Sequence, residues 1–392
     1  MPVGGGRRRW WLVTAVALVL VTAIGAAQTP AAQTGAAPTG GAQTREERAA
    51  SRATDRALRG RSTPVDPTPR PAVPGKHVVV ISAGQASSTA KVGVDAAVAA
   101  AKAIGWQVDV YDAELNPANY APLVRQAIAA GVDGIILGAI DCQAVAGPLR
   151  EARAAKISVV AGGAFDCDDP HGGGAKRGLF SAPVNLEPLA SDPAAFARGY
   201  GADQASYIVH ASDNAAKILV LQDPEFTTLF YTDDGFRKQI ARSHGSEIVS
   251  TLEITTADFT NGRLVPKIQA ELLRHPEVTW IKSPFTFATT LGIIPALGAN
   301  PDHIDVMGGE GLEPELDLLR DGKITAVNVF PSEWLGWAAV DTLNSVFRGE
   351  APVASGVGWM LADADHNLPP SGPARSRIDY ETQYRKAWGA TG

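Results

Sequence analysis

The chain has 392 residues and only two cysteines. That leaves room for one disulfide and provides no framework for a cysteine-stapled scaffold. Positive charge is also scarce in the body of the sequence. Of the 35 Lys/Arg and 41 Asp/Glu, ten and four fall within residues 1–75, which leaves 25 basic and 37 acidic residues in 76–392, a net of −12. A body so acidic excludes nucleic acid as a partner, because phosphate contacts need a basic face. The one long apolar run, Trp10 to Ile24, is short for an ordinary membrane-spanning helix. Catalytic signatures are missing too. No nucleophile–base pair, metal signature or phosphate loop stands out, and "HGGGAKRG" (171–178) lacks the spacing of a phosphate loop. The chain is therefore expected not to be an enzyme and to need no cofactor.

What is present begins with an address. "GRRRWWLVTAVALVLVTAIGAA" places three arginines before the apolar run and small residues after it, the layout of a secretory signal cleaved near Gly25 to Ala27. An uncleaved membrane anchor is the alternative, and Arg8-Arg9 is compatible with a twin-arginine signal. Residues 1–27 are thus expected to be a signal peptide, and the protein to be exported, to the periplasm or cell envelope outside the cytoplasmic membrane. Residues 28–75 are rich in Ala, Pro, Gln and Thr and predict a disordered tether. Within it "REERAASRATDRALRGR" has the makings of a short polar helix with no apolar stripe to bury.

With 45% hydrophobic residues the remainder is ample for a large core, arranged in two lobes. From Lys76 strand-like and helix-like segments alternate. "HVVVIS" (77–82), "WQVDVYDA" (106–113), "DGIILGAI" (133–140) and "ISVVAGGA" (157–164) predict strands, with helices between them, and "GLFSAPVN" (178–185) a fifth strand. A helix over Pro193 to His210 precedes a second series, with strands at "KILVLQ" (217–222), "SEIVSTLEI", "VTWIKSPF", "IDVMGGEG" and "ITAVNVF". Strand–helix alternation of this kind specifies parallel sheets covered on both faces. In such sheets ligands sit outside the carboxyl ends of the strands.

Each cysteine lies just past an apolar run, Cys142 in "GVDGIILGAIDCQAV" and Cys167 in "ISVVAGGAFDC". If the two strands are neighbours they stand about 4.8 Å apart. A bridge across the sheet's carboxyl edge is then feasible, and export favours oxidation. A Cys142–Cys167 disulfide stiffening loops at a cleft is the expectation; two unpaired thiols are the alternative. "CDDPHGGG" (167–174) matches no standard zinc spacing, so no metal is expected.

The stretch "GWQVDVYDAELNPANYAPLVRQAIAAGVDGIILGAIDCQAVAGPLREARAAKISVV" resembles the first lobe of the type I periplasmic binding proteins, in particular the ribose/galactose-type solute-binding proteins of ABC importers. The second lobe adds "TTADFTNG", "VMGGEG" and "DGKITAVNVFPSEWLG". The resemblance runs from about Val78 to Val353. It implies an α/β fold of two Rossmann-like lobes with parallel sheets joined by a three-stranded hinge. Carried onto this chain, the N-terminal lobe is 76–190 with 331–351. The C-terminal lobe is 191–330 with 352–392, and the crossovers lie near Leu189, Phe330 and Val353. It further implies a monomer that captures a small molecule, a monosaccharide or sugar-like compound on family grounds, and delivers it to an ABC permease in the membrane. A sensor that docks to a membrane receptor is a second possibility.

The positions matching the family's ligand contacts depart from its pattern. After strand one the family has an asparagine and two aromatics; here stand Gln85, Ser87, Ser88 and Thr89. Gly163 and Ala164 occupy the place of the family aspartate after strand four, with Asp166 as a substitute, and Asp141 stands at the mouth of strand three. Phe230, Thr286 and Phe330 fall where the family has an arginine, an asparagine and a glutamine; Phe259 and Glu310 keep the family's character. The expected ligand set is therefore Gln85, Ser87, Thr89, Asp141, Asp166, Phe230, Phe259, Thr286, Glu310 and Phe330. Tyr231, Phe285, Phe287, Trp334 and Trp337 add further rings. Of these Trp334 and Trp337 are expected in packing, and at least one of Phe285 and Phe287 in the core. So many rings and so few amides suit an aromatic or less hydroxylated ligand as the rival to a sugar.

Overall fold

The computed structural model describes residues 44–298 and 304–390. The expected signal peptide and residues 28–43 of the expected tether lie outside them. Elements follow in the order α1 (Arg45–Arg59), β1 (His77–Ser82), α2 (Ser88–Ala103), β2 (Gln107–Asp112), α3 (Tyr120–Ala129), β3 (Gly134–Gly138), α4 (Cys142–Ala154) and β4 (Ser158–Gly162). The second series is α5 (Pro193–Ala211), β5 (Lys217–Gln222), α6 (Thr227–Ile240), β6 (Glu247–Glu253), α7 (Thr256–Thr260), α8 (Leu264–Arg274) and β7 (Trp280–Lys282). Then come α9 (Thr286–Ala288), a π turn and α10 (Ile294–Leu297), β8 (Asp305–Met307), α11 (Glu313–Arg320), β9 (Ala326–Val329), α12 (Ser332–Arg348), β10 (Met360–Asp363) and α13 (Tyr380–Trp388).

Two sheets result, in the orders β2-β1-β3-β4 and β10-β9-β8-β7-β5-β6. All pairings are parallel except β10 with β9. The Val/Ile runs of β1 and β3 are buried on both faces, as parallel strands sandwiched by helices require. β2 closes one edge with exposed Gln107, Asp109 and Asp112, which blunts it against further pairing. The chain crosses between lobes three times: after β4, at Phe330 between β9 and α12, and between α12 and β10. In the crossings Ser355 donates its N–H to the carbonyl of Asn185 at 2.9 Å.

Three expectations are corrected. Residues 178–185 are not a strand. Ser181 donates once to the Val159 carbonyl, but Pro183 has no N–H, and the amides of Leu179 and Phe180 are taken by the Asp166 carboxylate. The C-terminal residues do not all join the second lobe. β10 does, whereas α13 packs on α12 of the first, with Trp388 stacked on Trp337 at 5.5 Å.

The third correction concerns the tether, since residues 44–75 are folded. α1 opens with a capping box between Thr44 and Glu47 and buries Ala50, Thr54 and Ala57 along one face. Ala50 and Ala57 share a cluster with Ala205 and Ile208 of α5. The small side chains form a stripe that polarity alone conceals. Residues 60–75 then run as an extended strap along the third crossing. Arg61 donates its N–H to the Trp359 carbonyl (2.8 Å) and Thr63 to Gly356 (3.0 Å). Further on, Arg70 donates to Ala387 (2.7 Å) and Ala72 to Trp388 (3.0 Å). Side chains fasten both ends. Arg61 pairs with Asp203 of α5 at 2.7 Å, and buried Arg70 pairs with Asp341 of α12 at 2.6 Å.

Candidate functional site

The carboxyl ends of both sheets face one cleft of about 640 Å³. Ala83, Ser87 and Thr89 reach it after β1, Gly162 to Asp166 after β4, Phe226 and Thr228 after β5, Pro284, Phe285 and Phe287 after β7, Glu310 after β8 and Phe330 after β9. Such clefts are the usual ligand position in open parallel sheets.

Glu310 sits in the loop "GGEG" (308–311), held from beneath by a second carboxylate. Buried Glu315 accepts the N–H groups of Gly309 (2.6 Å) and Gly311 (2.8 Å), the Thr286 hydroxyl (2.7 Å) and the Thr289 hydroxyl. Gly309 permits this, because a Cβ there would stand 2.3 Å from the backbone of Phe285. Glu310 Oε2 accepts the Thr286 N–H (3.0 Å) and, from the opposite lobe, the Thr89 hydroxyl (2.9 Å). Oε1 accepts no hydrogen bond from the described residues. Burial, with Glu315 adding repulsion, pushes the Glu310 carboxyl up to about 7.

Three other carboxylates at the cleft are committed to the protein. Asp166 accepts the N–H groups of Cys167 (2.7 Å) and Leu179 (2.6 Å), and Asp192 caps α5 through Ala195 (2.7 Å). Asp169 accepts the Tyr231 hydroxyl at 2.8 Å. Asp168 stands exposed. Among the described residues no Lys, Arg, His, Asn or Gln lines the cleft. Eight of the eleven phenylalanines do. They fall into groups: Phe259 with Phe285 and Phe287, at ring distances of 5.6 and 5.0 Å, and Phe330 with Phe196 and Tyr200, at 6.1 and 5.7 Å.

The lobes are closed on each other. Besides Thr89–Glu310, Tyr231 of α6 reaches Asp169 of the first lobe, and the Thr228 hydroxyl donates to the Gly163 carbonyl (3.3 Å). Asp141 Oδ2 accepts the Thr227 N–H (3.2 Å), while its Oδ1 holds Phe165 N–H (2.8 Å). His171 packs on Phe230 at 3.7 Å. The Cys142–Cys167 disulfide is formed, with Cα atoms 5.0 Å apart, across the carboxyl edge of the paired strands β3 and β4. It fixes the loop that carries Asp166, Asp169 and His171.

Of the ten expected ligand residues, Ser87, Thr89, Asp166, Phe259, Glu310 and Phe330 line the cleft. Four do not. The Gln85 N–H is tied to Asp112 (3.0 Å), Asp141 and Phe230 serve lobe contact, and Thr286 supports the two glutamates. Phe285 and Phe287 both reach the cleft, Phe285 while also touching the second lobe's core, because the turn from β7 into α9 swings two successive odd positions to one side. Trp334 and Trp337 are packed on α13, as expected. Sequence reasoning missed Glu315, whose signal is an acidic residue in the first turn of α11 behind a glycine-rich loop. It also missed Phe165 and Phe180, in the loop after β4, and Phe196 and Phe226, at the starts of α5 and α6.

The periplasmic binding protein domain family matches residues 78–351. The chain belongs to this family, and two α/β lobes linked by connecting strands are its architecture. The ribose import binding protein of Salmonella typhimurium is 24% identical over 258 residues, covering 65% of this chain and 79% of that protein. An ABC transporter solute-binding protein from Agrobacterium vitis, bound to α-D-tagatopyranose, superposes with a TM-score of 0.64 at 18% identity, over 75% of this chain and 97% of the other. One from Mycobacterium smegmatis, with bound glycerol, gives 0.60 at 22% identity, over 77% and 100%.

Proposed function

We propose that the protein is the exported solute-binding component of an ABC importer, closing two lobes around a small molecule and presenting it to a membrane permease. The observation that carries this reading is the cleft between the lobes, roofed by contacts from one lobe to the other. Family membership supports a non-catalytic carrier and a place outside the cytoplasmic membrane. A monosaccharide or sugar-like ligand is supported by the relatives, among them an importer component for ribose and a structure holding a ketose. A less hydroxylated, more apolar ligand is supported by the cleft itself, which is lined by eight phenylalanines and, among the described residues, by no amide or guanidinium side chain. Delivery to a permease and docking to a sensory receptor need the same closed state, and the cleft favours neither.

The test is a thermal-unfolding screen of the protein against sugars, polyols, aromatic acids and amines, followed by addition of the hit to the permease in proteoliposomes. A ligand at a thousand times its Kd adds about 4 kcal/mol to stability. A raised midpoint followed by ligand-dependent ATP hydrolysis is the expected result. A ligand that stabilises the protein without stimulating the permease transfers it to the sensory reading.

A further inference from the structure

We propose that the cleft's ligand is an organic cation: an apolar or aromatic body carrying one protonated amine, the amine seated on Glu310. This rests on the solute-capture reading above and names the ligand class for that same site.

The lining decides first by sign. It carries carboxylates at Asp166, Asp168, Asp169, Asp192 and Glu310 and, among the described residues, no basic side chain. An anionic ligand would meet only repulsion there. The lining decides next by hydrogen-bonding capacity. A sugar presents several hydroxyls, each costing about 1–3 kcal/mol if buried unpaired. Serine and threonine hydroxyls, Glu310 Oε1 and the exposed Asp168 are too few partners, and among the described residues the amide side chains that accept and donate together are absent from the lining.

What the cleft offers in quantity is aromatic surface, arranged around the uncommitted Oε1 of Glu310. Thr286, whose N–H holds Glu310, lies between Phe285 and Phe287, with Phe259 stacked 5.0 Å from Phe287. On the other side Phe330 donates its N–H to the Glu310 carbonyl at 2.8 Å, and Phe196 and Tyr200 crowd its ring. Ring faces attract cations and suit apolar bodies. Inside a protein an ammonium group and a carboxylate attract far more strongly than in water. Glu310 is partly buried and lines the cleft, and among the described residues it has no basic partner, so its charge lacks a counter-ion until the ligand supplies one.

The titratable groups facing Glu310 are Glu315 and Tyr200, and Thr89 and Thr286 add only uncharged donors. Cation binding requires the ionised Glu310, whose pKa in the empty cleft lies at about 7. Amine affinity therefore falls about tenfold for each pH unit below that value, whereas affinity for a neutral isostere does not.

The experiment is titration calorimetry of the full chain with phenethylamine, 2-phenylethanol, phenylacetate and D-ribose, on wild type and on Glu310→Gln, at pH 8 and pH 6. The expected result is phenethylamine binding about tenfold or more tighter than 2-phenylethanol at pH 8, with the margin lost at pH 6 and in Glu310→Gln. Retained binding of 2-phenylethanol shows that the variant is folded. Phenylacetate and D-ribose do not bind. Preference for D-ribose or for the alcohol overturns the cation and leaves solute capture standing. An amine preference that survives Glu310→Gln also overturns it. Silence from all four probes and from the wider screen above overturns both readings.

Discussion

Arg70→Met tests whether the strap belongs to the fold. Arg70 donates Nε–H to Asp341 at 2.6 Å and Nη1–H to the carbonyls of Asp66 (2.9 Å) and Thr68 (2.8 Å), and the ion pair is 2% and 5% exposed. Removing the guanidinium leaves the Asp341 carboxylate buried with only the Trp388 indole N–H (2.6 Å) as partner. Breaking a buried pair from one side costs about 3–5 kcal/mol. That is a large part of the 5–15 kcal/mol by which domains are ordinarily stable. The assay is urea unfolding followed by tryptophan fluorescence, since Trp337 and Trp388 lie beside the pair. Arg70→Met with Asp341→Leu removes both charges and should recover most of the loss. Burial already raises the Asp341 carboxyl against the opposing pull of Arg70. Without Arg70 it rises further, so the variant's deficit should shrink at pH 5, where protonation removes the stranded charge. A single-variant loss under about 1 kcal/mol, the ordinary size of a surface effect, would refute a fastened strap.

Other perturbations test other parts. Replacing both cysteines by serine opens a loop with a sequence separation of 25, and should cost roughly 3 kcal/mol by denaturant unfolding. Gly235→Ala drives a Cβ to 2.1 Å from the Arg198 carbonyl, where α5 and α6 touch, and should lower stability by about 1–3 kcal/mol or more. Tyr231→Phe removes the hydroxyl that reaches Asp169 across the lobes, and X-ray scattering of the ligand-free protein should then report a larger radius of gyration. Glu310 and Asp223 are both raised to about 7, chiefly by burial. Each contributes stability that is full below its unfolded value near 4 and is lost as pH rises through 7, up to about 4 kcal/mol each. The ligand-free midpoint should thus fall between pH 5 and pH 8, and Glu310→Gln should flatten that slope.

The first sheet was legible because its strands are short Val/Ile runs bounded by glycines, a pattern that parallel burial demands. The same runs located both cysteines at one sheet edge, so the bridge followed from strand adjacency. The strap was illegible for a matching reason. Its fastening depends on Arg70 meeting a residue 271 positions away, and extended Pro-rich chain shows no periodicity that betrays burial. α1 was missed as a packed helix because alanines, unlike leucines, look neutral in a charged segment. At the site, Glu310 and Thr89 were reached only through the family resemblance, which matches "GGEG" and the stretch after β1 to the family's ligand positions. The rings at Phe196 and Phe226 were missed, because the way two lobes meet, and not any local pattern, aims them at the cleft.

The apolar cleft has a thermal consequence. Opening the lobes wets rings that closure keeps dry, so opening carries a positive heat-capacity change, as local unfolding does. The drive to close then weakens on cooling. A cold cell would hold more of this carrier gaping, and a warm one would hold it shut even without cargo. For a permease that must tell loaded carriers from empty ones, closure alone would then be an ambiguous signal, and the more so the warmer the cell.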